Sequence, residues 1–329
     1  MSQTISLANA AQPRKFRGNL LSWYREHQRP LPWRRTRDPY RIWISEIMLQ
    51  QTRVAAVLEH YKRFLKKFPS LRQLAAADEA EVLTVWSGLG YYRRARMLHR
   101  AAKLVVSEPY SRIPGTAAQL LTLPGIGRYT ANAIASIAFG EPVAVVDGNV
   151  ERVLERLLRQ QLSGEELWEA AQAVLDPESP GDFNQAMMEL GATVCLPGVP
   201  LCQRCPVKKH CRSRDVQLEE TSITEKRLRK SSALLLIRRG GAILLQQRAQ
   251  DERLMPGMWE LPEADDEKAG DPLLTVKHSI TTTDWSVNVF SGHSLRRRSN
   301  TRWISLTHVC QLPLTGLSRK ILRKLNLLS

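Results

Sequence analysis

The sequence predicts a multidomain protein in which a long all-α region is followed by a smaller α+β domain. Three observations predict this fold class. Apolar residues recur at helical spacing through the first two-thirds of the 329-residue chain, strand-like alternation replaces that spacing near the end, and a charged segment separates the two patterns. A hydrophobic content of 43% is typical of folded proteins. We therefore expect a helical domain over residues 1–213, a linker over 214–231 and an α+β domain over 232–329.

The helical region is marked by apolar residues that stand three and four positions apart. Few segments before Cys195 alternate as strands would. The clearest helical sets are Val54, Val57, Leu58, Tyr61; Ala95, Leu98, Ala102, Val105; and Val150, Val153, Leu154, Leu157, Leu158.

The C-terminal region has a different period. Two short apolar runs, Ala233–Ile237 and Ala242–Gln247, flank Gly240-Gly241, a pattern typical of a β-hairpin. Alternation at Trp285, Val287 and Val289 predicts a half-buried strand, and residues 317–327 return to helical spacing.

The chain carries a net charge of +16 at pH 7, most of it within residues 1–213. Such an excess predicts a polyanionic partner, and nucleic acid fits best. No apolar run is long enough to cross a bilayer, so we expect no membrane partner. The first fifteen residues lack a signal-peptide layout. An organellar transit peptide remains an alternative for this segment, but a short disordered tail is favoured. We expect the protein to be cytoplasmic and associated with the nucleoid.

Four of the five cysteines are clustered, at Cys195, Cys202, Cys205 and Cys211, with the spacing C-x6-C-x2-C-x5-C. Tight clustering indicates a metal site rather than a disulfide framework. Four thiolates suit tetrahedral zinc or an iron–sulfur cubane, and unrelated buried cysteines are a third interpretation. Zinc sites usually contain two C-x2-C pairs, whereas this cluster contains one.

The segment Leu123–Gly127, L-P-G-I-G, lies between two helical stretches. Proline ends the first helix, and Gly125 and Gly127 permit a tight turn. A helix predicted from Arg128 to Ala138 then presents its N-terminus, where free N–H groups and the helix dipole suit a phosphate. An ordinary helix–helix connection is the alternative.

Two carboxylates stand out. Asp147 follows the apolar run Val143–Val146 and precedes a predicted helix, a position that is also common for a simple N-cap. Glu46 lies in an apolar helical stretch, where it would share a face with Gln50 and Arg53. A surface capping box beginning near Ser45 is the alternative for Glu46.

These motifs together resemble one family. The cysteine spacing resembles the iron–sulfur loop of the endonuclease III superfamily of DNA glycosylases, which also carries a helix-hairpin-helix element like 123–127. The segment S-E-I-M-L-Q-Q-T at 45–52 resembles the signature of MutY-type adenine DNA glycosylases. Further segments occur in family order, at 31–34, 88–92, 147–150 and 184–191. The resemblance implies an all-α helix-hairpin-helix glycosylase core with a [4Fe–4S] loop at 195–211, followed by a Nudix-like domain.

The implied activity is excision of adenine paired with 8-oxoguanine or guanine in duplex DNA, as in base excision repair. By resemblance, Glu46 is the general acid at adenine N7, which requires a raised pKa. Asp147 stays charged beside the oxocarbenium-like sugar, or bonds to it transiently, and Asn149 positions water and sugar. Bifunctional relatives carry a lysine where this chain has Tyr129. A phenol cannot form a Schiff base, so we expect base removal without strand cleavage.

The resemblance assigns further residues to the DNA and the flipped base. It places Trp33, Arg34 and Glu189 with Tyr129 around the adenine, Gln51 and Tyr91 in the gap left by the flipped nucleotide, and Gly125, Gly127 and Arg128 at phosphates. Arg96, Arg100 and Lys103 share a helix face that suits either phosphate contact or plain solvation.

The C-terminal segments 234–247 and 255–262 resemble the Nudix-like domain of the same family. No R-E-x-x-E-E pattern follows the acidic stretch Glu263–Lys268, so we expect no pyrophosphatase activity and instead recognition of 8-oxoguanine. Many relatives have a Phe-Ser-His turn, and the nearest match in this chain is His278-Ser279-Ile280-Thr281-Thr282. Thr281 keeps a hydroxyl, but Thr282 replaces the imidazole. We therefore expect this chain to discriminate A·8-oxoG from A·G more weakly than relatives that have the histidine.

Two alternatives remain. The chain could be another helix-hairpin-helix glycosylase, acting on oxidised pyrimidines or T·G mismatches, or a non-catalytic iron–sulfur module that binds DNA. Tyr129 disfavours a lyase, and the presence of both Glu46 and Asp147 disfavours a non-catalytic module. We expect the protein to act as a monomer.

Overall fold

The computed structural model describes residues 13–107, 112–214, 228–252, 254–264, 271–280, 282–292 and 300–328. Its helical region confirms the predicted all-α architecture. In order along the chain the helices are α1 Pro13–His27, α2 Pro39–Leu49, α3 Val54–Lys67, α4 Leu71–Ala76, α5 Glu79–Trp86, α6 Arg93–Ser107, α7 Ala117–Leu120, α8 Arg128–Phe139, α9 Gly148–Leu158, α10 Gly164–Val174 and α11 Pro180–Thr193. In the part of the chain that the structure describes, no helix is both long enough and apolar enough to cross a membrane.

The chain divides into two compact units that do not follow the predicted domain border. The first unit is Met1–Tyr61 with Leu104–Ile223, and the second is Lys62–Lys103 with Thr224–Ser329. Residues 62–103 are thus grouped with the C-terminal residues by their contacts, although their sequence continues the helical region.

The core of the first unit forms where amphipathic helices α1, α9, α10 and α11 meet. Helix α9 buries the apolar stripe predicted from its spacing and leaves Glu151 exposed. Burial of a leucine such as Leu154 is worth about 2 kcal/mol, so this stripe anchors α9 firmly. Cys195, Cys205 and Cys211 are partly buried against the same core.

Helix α2 is buried on nearly every side. The Asp38 side chain caps its start by accepting hydrogen bonds from the Tyr40 and Arg41 amides, and Pro39 occupies the first turn. The helix ends at Leu49, and Gln51 adopts a left-handed φ of 53°. The prediction that Glu46, Gln50 and Arg53 share one helix face is therefore wrong, because the chain leaves the helix at Gln50. The surface capping box is also wrong, since Glu46 lies inside α2.

The predicted hairpin connects α7 to α8. Gly125 has a φ of 78°, a left-handed conformation that glycine adopts at little steric cost. Gly127 is the extended N-cap residue of α8 and has no side chain to cap the helix. The turn therefore presents backbone N–H groups at the start of α8, as the sequence predicts.

The C-terminal domain is a mixed sheet with a helix against it. Its strands are β1 Leu228–Arg239, β2 Ala242–Gln247, β3 Trp259–Glu260, β4 Leu274–Ile280, β5 Thr283–Gly292 and β6 Thr301–Ser305, and its helix is α12 Gly316–Lys324. The sheet order is β3-β2-β1-β5-β4, and β6 pairs with β2. Strand β1 begins at Leu228, inside the predicted linker, because it forms a long parallel ladder with β5 from Leu228↔Thr283 to Ile237↔Gly292.

The sequence signals of this domain are reproduced. Strands β1 and β2 pair antiparallel across Gly240 and Gly241, which both have positive φ, so the predicted hairpin is confirmed. Val287 and Val289 are fully buried on β5 and pack in one core with Ile321 of α12.

Candidate active site

Helices α2 and α8 bring Glu46 and Tyr129 together in the first unit. The Glu46 residue is 4% exposed, and the Tyr129 hydroxyl donates a hydrogen bond of 2.9 Å to Glu46 Oε2. The same hydroxyl lies 3.5 Å from the Met188 sulfur on α11. A carboxyl group in an apolar helix is thus held by one side-chain donor from a neighbouring helix.

This environment raises the pKa of Glu46 to about 7. Burial is the main cause, and the negative charge of Asp147 adds to it. The Tyr129 hydrogen bond and the Arg34 charge lower the pKa in part. Burial and the charges of Glu46 and Asp147 hold the pKa of Tyr129 well above its usual value. Glu46 can therefore carry a transferable proton near neutral pH while Tyr129 remains a donor.

Removing the Tyr129 hydroxyl should raise the pKa of Glu46 above about 7. The hydroxyl stabilises the charged carboxylate, so Tyr129→Phe favours the protonated form. Carboxyl infrared or ¹³C NMR titration would measure the change. Tyr61→Phe is a matched control, because that buried hydroxyl donates to the Arg41 carbonyl at 3.3 Å. An unchanged or lowered pKa in Tyr129→Phe would contradict the assigned effect.

Asp147 is the N-cap of α9, so the capping interpretation of its sequence position holds. Its Oδ1 accepts hydrogen bonds from the Asn149 amide at 3.0 Å and the Val150 amide at 2.8 Å. Its Oδ2 accepts a bond of 3.0 Å from the Asn149 side chain. Three donors and the positive end of α9 therefore fix the orientation of the carboxylate.

Arg152 holds Asn149 from the other side. Its Nη2 donates to Asn149 Oδ1 at 2.9 Å and to the Gly191 carbonyl at 2.7 Å, while its Nε donates to the Cys195 carbonyl at 2.9 Å. A Cβ on Gly191 would lie 2.6 Å from Asn149 Cβ, so only glycine fits there. Arg156, one turn later, donates to Cys195 Sγ and to the Leu196 carbonyl. Sequence reasoning missed both arginines, although their spacing places them on one face of α9.

Glu189 of α11 is fully buried and forms ion pairs with two arginines. Arg29 contacts both carboxylate oxygens, at 2.8 and 2.7 Å, and Arg34 contacts Oε2 at 2.8 Å. Burial alone would raise the pKa of Glu189, but the hydrogen bonds from Arg29 and Arg34 lower it to about 2. Arg29 was not predicted, and Trp33 packs edge-to-face on Tyr61. The structure thus joins Arg34 and Glu189, two of the residues assigned to the adenine pocket, to each other.

Glu189→Gln should lower the free energy of unfolding by about 3 kcal/mol at pH 7, because it leaves buried guanidinium charge without a counter-charge. Since the pKa of the folded carboxyl is depressed to about 2, its stabilisation is present above the unfolded value of 4.5 and is lost as the pH falls toward 2. Urea unfolding across that range would measure both effects. Asp182→Asn, which breaks the exposed Arg37–Asp182 pair, should cost less than about 1 kcal/mol. Equal losses in the two variants would refute the prediction.

Three residues predicted to contact DNA, Gln51, Tyr91 and Arg128, are each at least partly exposed. Arg128 stacks 4.1 Å above the Trp168 ring and pairs with both oxygens of Glu165, at 2.6 and 2.8 Å, beside an open groove of about 650 Å³. Gln51 and Tyr91 are exposed and have left-handed φ values of 53° and 47°. Such conformations strain a residue other than glycine and often mark functional positions.

The other predicted DNA-facing residues have mixed outcomes. On the helix face of α6, Arg100 and Lys103 are exposed. Arg96 is not a free phosphate ligand, because it pairs with Glu79 at 3.1 Å. Thr282 is exposed in the β4–β5 turn, and Thr281 lies outside the described residues.

The four clustered cysteines line one small cavity of about 30 Å³ together with Arg156, Lys208 and Arg214. Short 3-10 turns at Cys202–Arg204 and Lys208–His210 direct the chain around it. Within the described ranges, no three cysteine, histidine or carboxylate side chains are grouped as ligands of a single ion. Four thiols that line one cavity are a donor set that suits tetrahedral zinc or an iron–sulfur cluster.

Comparison with known proteins agrees with this architecture. Residues 44–175 match the HhH-GPD superfamily base excision DNA repair protein, and residues 232–324 match the NUDIX domain. A human protein named adenine DNA glycosylase is 51% identical over 221 residues, which cover 63% of this chain and 40% of the human protein. The pairing of these two regions and the identity to the human protein match the MutY family. A MutY-family relative from Buchnera aphidicola subsp. Baizongia pistaciae (strain Bp) bears the same name and is 38% identical over 203 residues, 60% of this chain and 58% of its own.

Solved structures share the helical fold of this chain. A thermostable thymine-DNA glycosylase superimposes with a TM-score of 0.57 at 31% identity, covering 62% of this chain and 96% of its own. Endonuclease III trapped in a covalent DNA intermediate superimposes with a TM-score of 0.54 at 26% identity, covering 63% of this chain and 97% of its own. The chain spans 40% to 58% of the length of the two curated MutY-family relatives.

Proposed function

We propose that this protein is a monofunctional DNA glycosylase that hydrolyses the N-glycosidic bond of adenine paired with 8-oxoguanine or guanine in duplex DNA. The observation that carries the proposal is the buried Glu46 carboxyl, which has a pKa of about 7 and is held by the Tyr129 hydroxyl. The names of the human and Buchnera relatives and the HhH-GPD match support the same activity.

The proposed reaction uses the two carboxyl groups differently. Protonated Glu46 donates its proton to adenine N7, and the bond between N9 and C1′ breaks with its electron pair moving to the base. The sugar becomes positively charged, and the oriented Asp147 carboxylate stabilises that charge. Water then adds to C1′ and gives its proton to a carboxylate, so that free adenine and an abasic site result. Asn149 and Arg152 keep Asp147 in place.

Tyr129 limits the reaction to base removal. A lyase would need an amine to attack C1′, and a phenol cannot form that Schiff base. Tyr129 instead orients Glu46 and adjusts its acidity. The proposed product is therefore an intact strand that carries an abasic site.

The direct test is single-turnover release of adenine from duplexes that contain A·8-oxoG or A·G. We expect free adenine, and strand breaks only after alkali treatment. Strand cleavage without alkali, or release from oxidised pyrimidine or T·G duplexes in place of adenine, would overturn the proposal in favour of the endonuclease III type of activity. Binding without base release from any duplex would favour the non-catalytic alternative.

We further propose that Cys195, Cys202, Cys205 and Cys211 hold a [4Fe–4S] cluster. Such a cluster is ligated by four thiolates, and the four cysteine side chains line one cavity together. When bound, it would supply structural cross-linking of the loop. Lys208 and Arg214 beside the cavity would then be held at the surface as candidates for phosphate contact.

Purified protein should contain iron rather than zinc and should absorb in the iron–sulfur charge-transfer region. Cys202→Ser should lose the iron and the absorption, since only three thiolates remain. Cys310→Ser is the matched control, because Cys310 is an exposed cysteine of the C-terminal domain, and it should keep both. Stoichiometric zinc, or iron retained by Cys202→Ser, would rule out the proposed cluster.

A further inference from the structure

A buried polar joint lies inside the second unit, where the turn between α5 and α6 meets the segment that leads into α12. We define the joint as Ser87, Tyr92, Leu314 and Arg319. Ser87 Oγ donates to the Leu314 carbonyl at 2.8 Å and accepts from Arg319 Nε at 2.8 Å. The Tyr92 hydroxyl donates to the same carbonyl at 3.2 Å.

The joint is unusually buried for its polarity. Ser87, Tyr92 and Leu314 are at most 4% exposed, and Arg319 is 9% exposed. Arg319 Nη2 is buried and has no hydrogen-bond partner among the described residues. Burial, together with the positive charges of Arg323 and Arg63, lowers the pKa of Arg319. Burial of a charged group costs solvation free energy, so the burial of Arg319 is weak evidence that the residue stabilises the fold.

Two further contacts tie the same helices to the C-terminal domain. Thr84 Oγ1 of α5 donates to the Gln311 carbonyl at 3.1 Å. Arg96 of α6 donates to the Pro256 carbonyl while it pairs with Glu79. The turn between α5 and α6 is thus held from both sides by backbone carbonyls of the C-terminal domain.

Tyr91 projects from this held turn. It directly precedes Tyr92, is 46% exposed and has a left-handed φ of 47°, and the Arg94 guanidinium lies 5.3 Å from its ring. A strained, exposed aromatic residue needs surroundings that fix its backbone. The hydrogen bond from the neighbouring Tyr92 to Leu314 provides such a constraint.

We propose that Ser87, Tyr92 and Arg319 are positioning residues that set the conformation of Tyr91 from the C-terminal domain, and so make discrimination of the base opposite adenine depend on the joint. This inference rests on the proposed glycosylase function. It predicts that weakening the joint reduces selectivity between duplexes more than it reduces base release itself.

The first test is Tyr92→Phe in the full chain, which removes one hydroxyl and keeps the ring. We expect the ratio of single-turnover rates, A·8-oxoG over A·G, to fall roughly threefold to tenfold, the range that one net hydrogen bond supplies. The A·G rate should stay within about twofold, since the joint contacts no reacting atom. Tyr61→Phe, which removes a buried tyrosine hydroxyl in the first unit, should leave the ratio unchanged.

The second test is hydrogen exchange without DNA, which does not depend on catalysis. Ser87→Ala removes the bonds of the serine hydroxyl to the Leu314 carbonyl and to Arg319, so amides 87–94 and 311–319 should exchange faster together than in the wild type or in Tyr61→Phe. The inference would be overturned if the two segments exchanged independently in Ser87→Ala. It would also be overturned if Tyr92→Phe lowered the rates of adenine release from A·8-oxoG and A·G duplexes equally. If the wild type released no adenine, the proposed function would fail, and the exchange result would still decide whether the joint couples the two segments.

Discussion

Glu46→Gln should lower the single-turnover rate of adenine release at pH 7 by about 10³-fold, within the range that a positioned general acid supplies. Glutamine has nearly the same shape, and its amide oxygen can still accept the Tyr129 hydroxyl that lies 2.9 Å from Glu46 Oε2. The amide has no proton to donate to a leaving base. The variant therefore removes the acid while it preserves the packing of α2.

The same assignment fixes the sign of the pH dependence. Because the acid must be protonated and the pKa of Glu46 is about 7, the wild-type rate should fall roughly tenfold per pH unit above that value. Folding should respond in the same direction. A carboxyl whose pKa is raised on folding binds more protons when folded, so stability is lost as the pH rises from 4.5 through about 7. Glu46→Gln should consequently be more stable than the wild type at pH 8.

Rate–pH profiles and urea unfolding would test both statements, with Glu151→Gln as the control. Glu151 is exposed on α9, so that variant should keep the wild-type profile and stability. A Glu46→Gln protein that releases adenine within threefold of the wild-type rate, or that keeps an alkaline limb near pH 7, would exclude Glu46 as the acid.

The parts of the fold that the sequence predicts are those with a local cause. The stripe of α9, the glycine turn before α8 and the hairpin between β1 and β2 each depend on residues a few positions apart. The break after α2 was missed, because Gln50 and Gln51 carry no local helix-stop signal such as glycine or proline.

The interactions that sequence reasoning missed join distant parts of the chain. Arg29 and Glu189 are 160 positions apart, and nothing near Arg29 marks its partner. Arg319 and Ser87 are 232 positions apart. Leu228 joins the sheet through a parallel partner on β5, although its own neighbours are polar and charged, as in a linker. Long-range ion pairs and parallel ladders depend on the whole fold, which single-sequence patterns do not contain.

Asp147 is an N-cap in the structure and stabilises positive charge in the proposed reaction, and substitutions can separate these two contributions. As an N-cap it accepts hydrogen bonds from the Asn149 and Val150 amides. Its negative charge also raises the pKa of Glu46. Asparagine is about as good an N-cap as aspartate, whereas alanine is not. Asp147→Asn thus removes the charge and keeps the cap, and Asp147→Ala removes both.

We expect Asp147→Asn to lower the single-turnover rate by about 10²- to 10³-fold, the usual effect of losing one preorganised electrostatic group at a developing charge. Its free energy of unfolding should stay within about 0.5 kcal/mol of the wild type, while Asp147→Ala should lose about 1 kcal/mol. The remaining activity should have its alkaline limb at lower pH, because loss of the Asp147 charge lowers the pKa of Glu46.

Asp38→Asn and Asp38→Ala form the matched pair of controls, since Asp38 caps α2 with the same geometry. Asp38→Ala should lose about 1 kcal/mol of stability, and neither Asp38 variant should lose the rate of base release. If Asp147→Asn retained the wild-type rate, or if Asp38→Asn lost rate as severely, capping alone would explain Asp147 and the charge would have no part in the reaction. A rate loss confined to Asp147→Asn, at unchanged stability, would assign the loss to the missing carboxylate, through its charge and the hydrogen bond that its Oδ2 accepts from the Asn149 side chain, and not to capping.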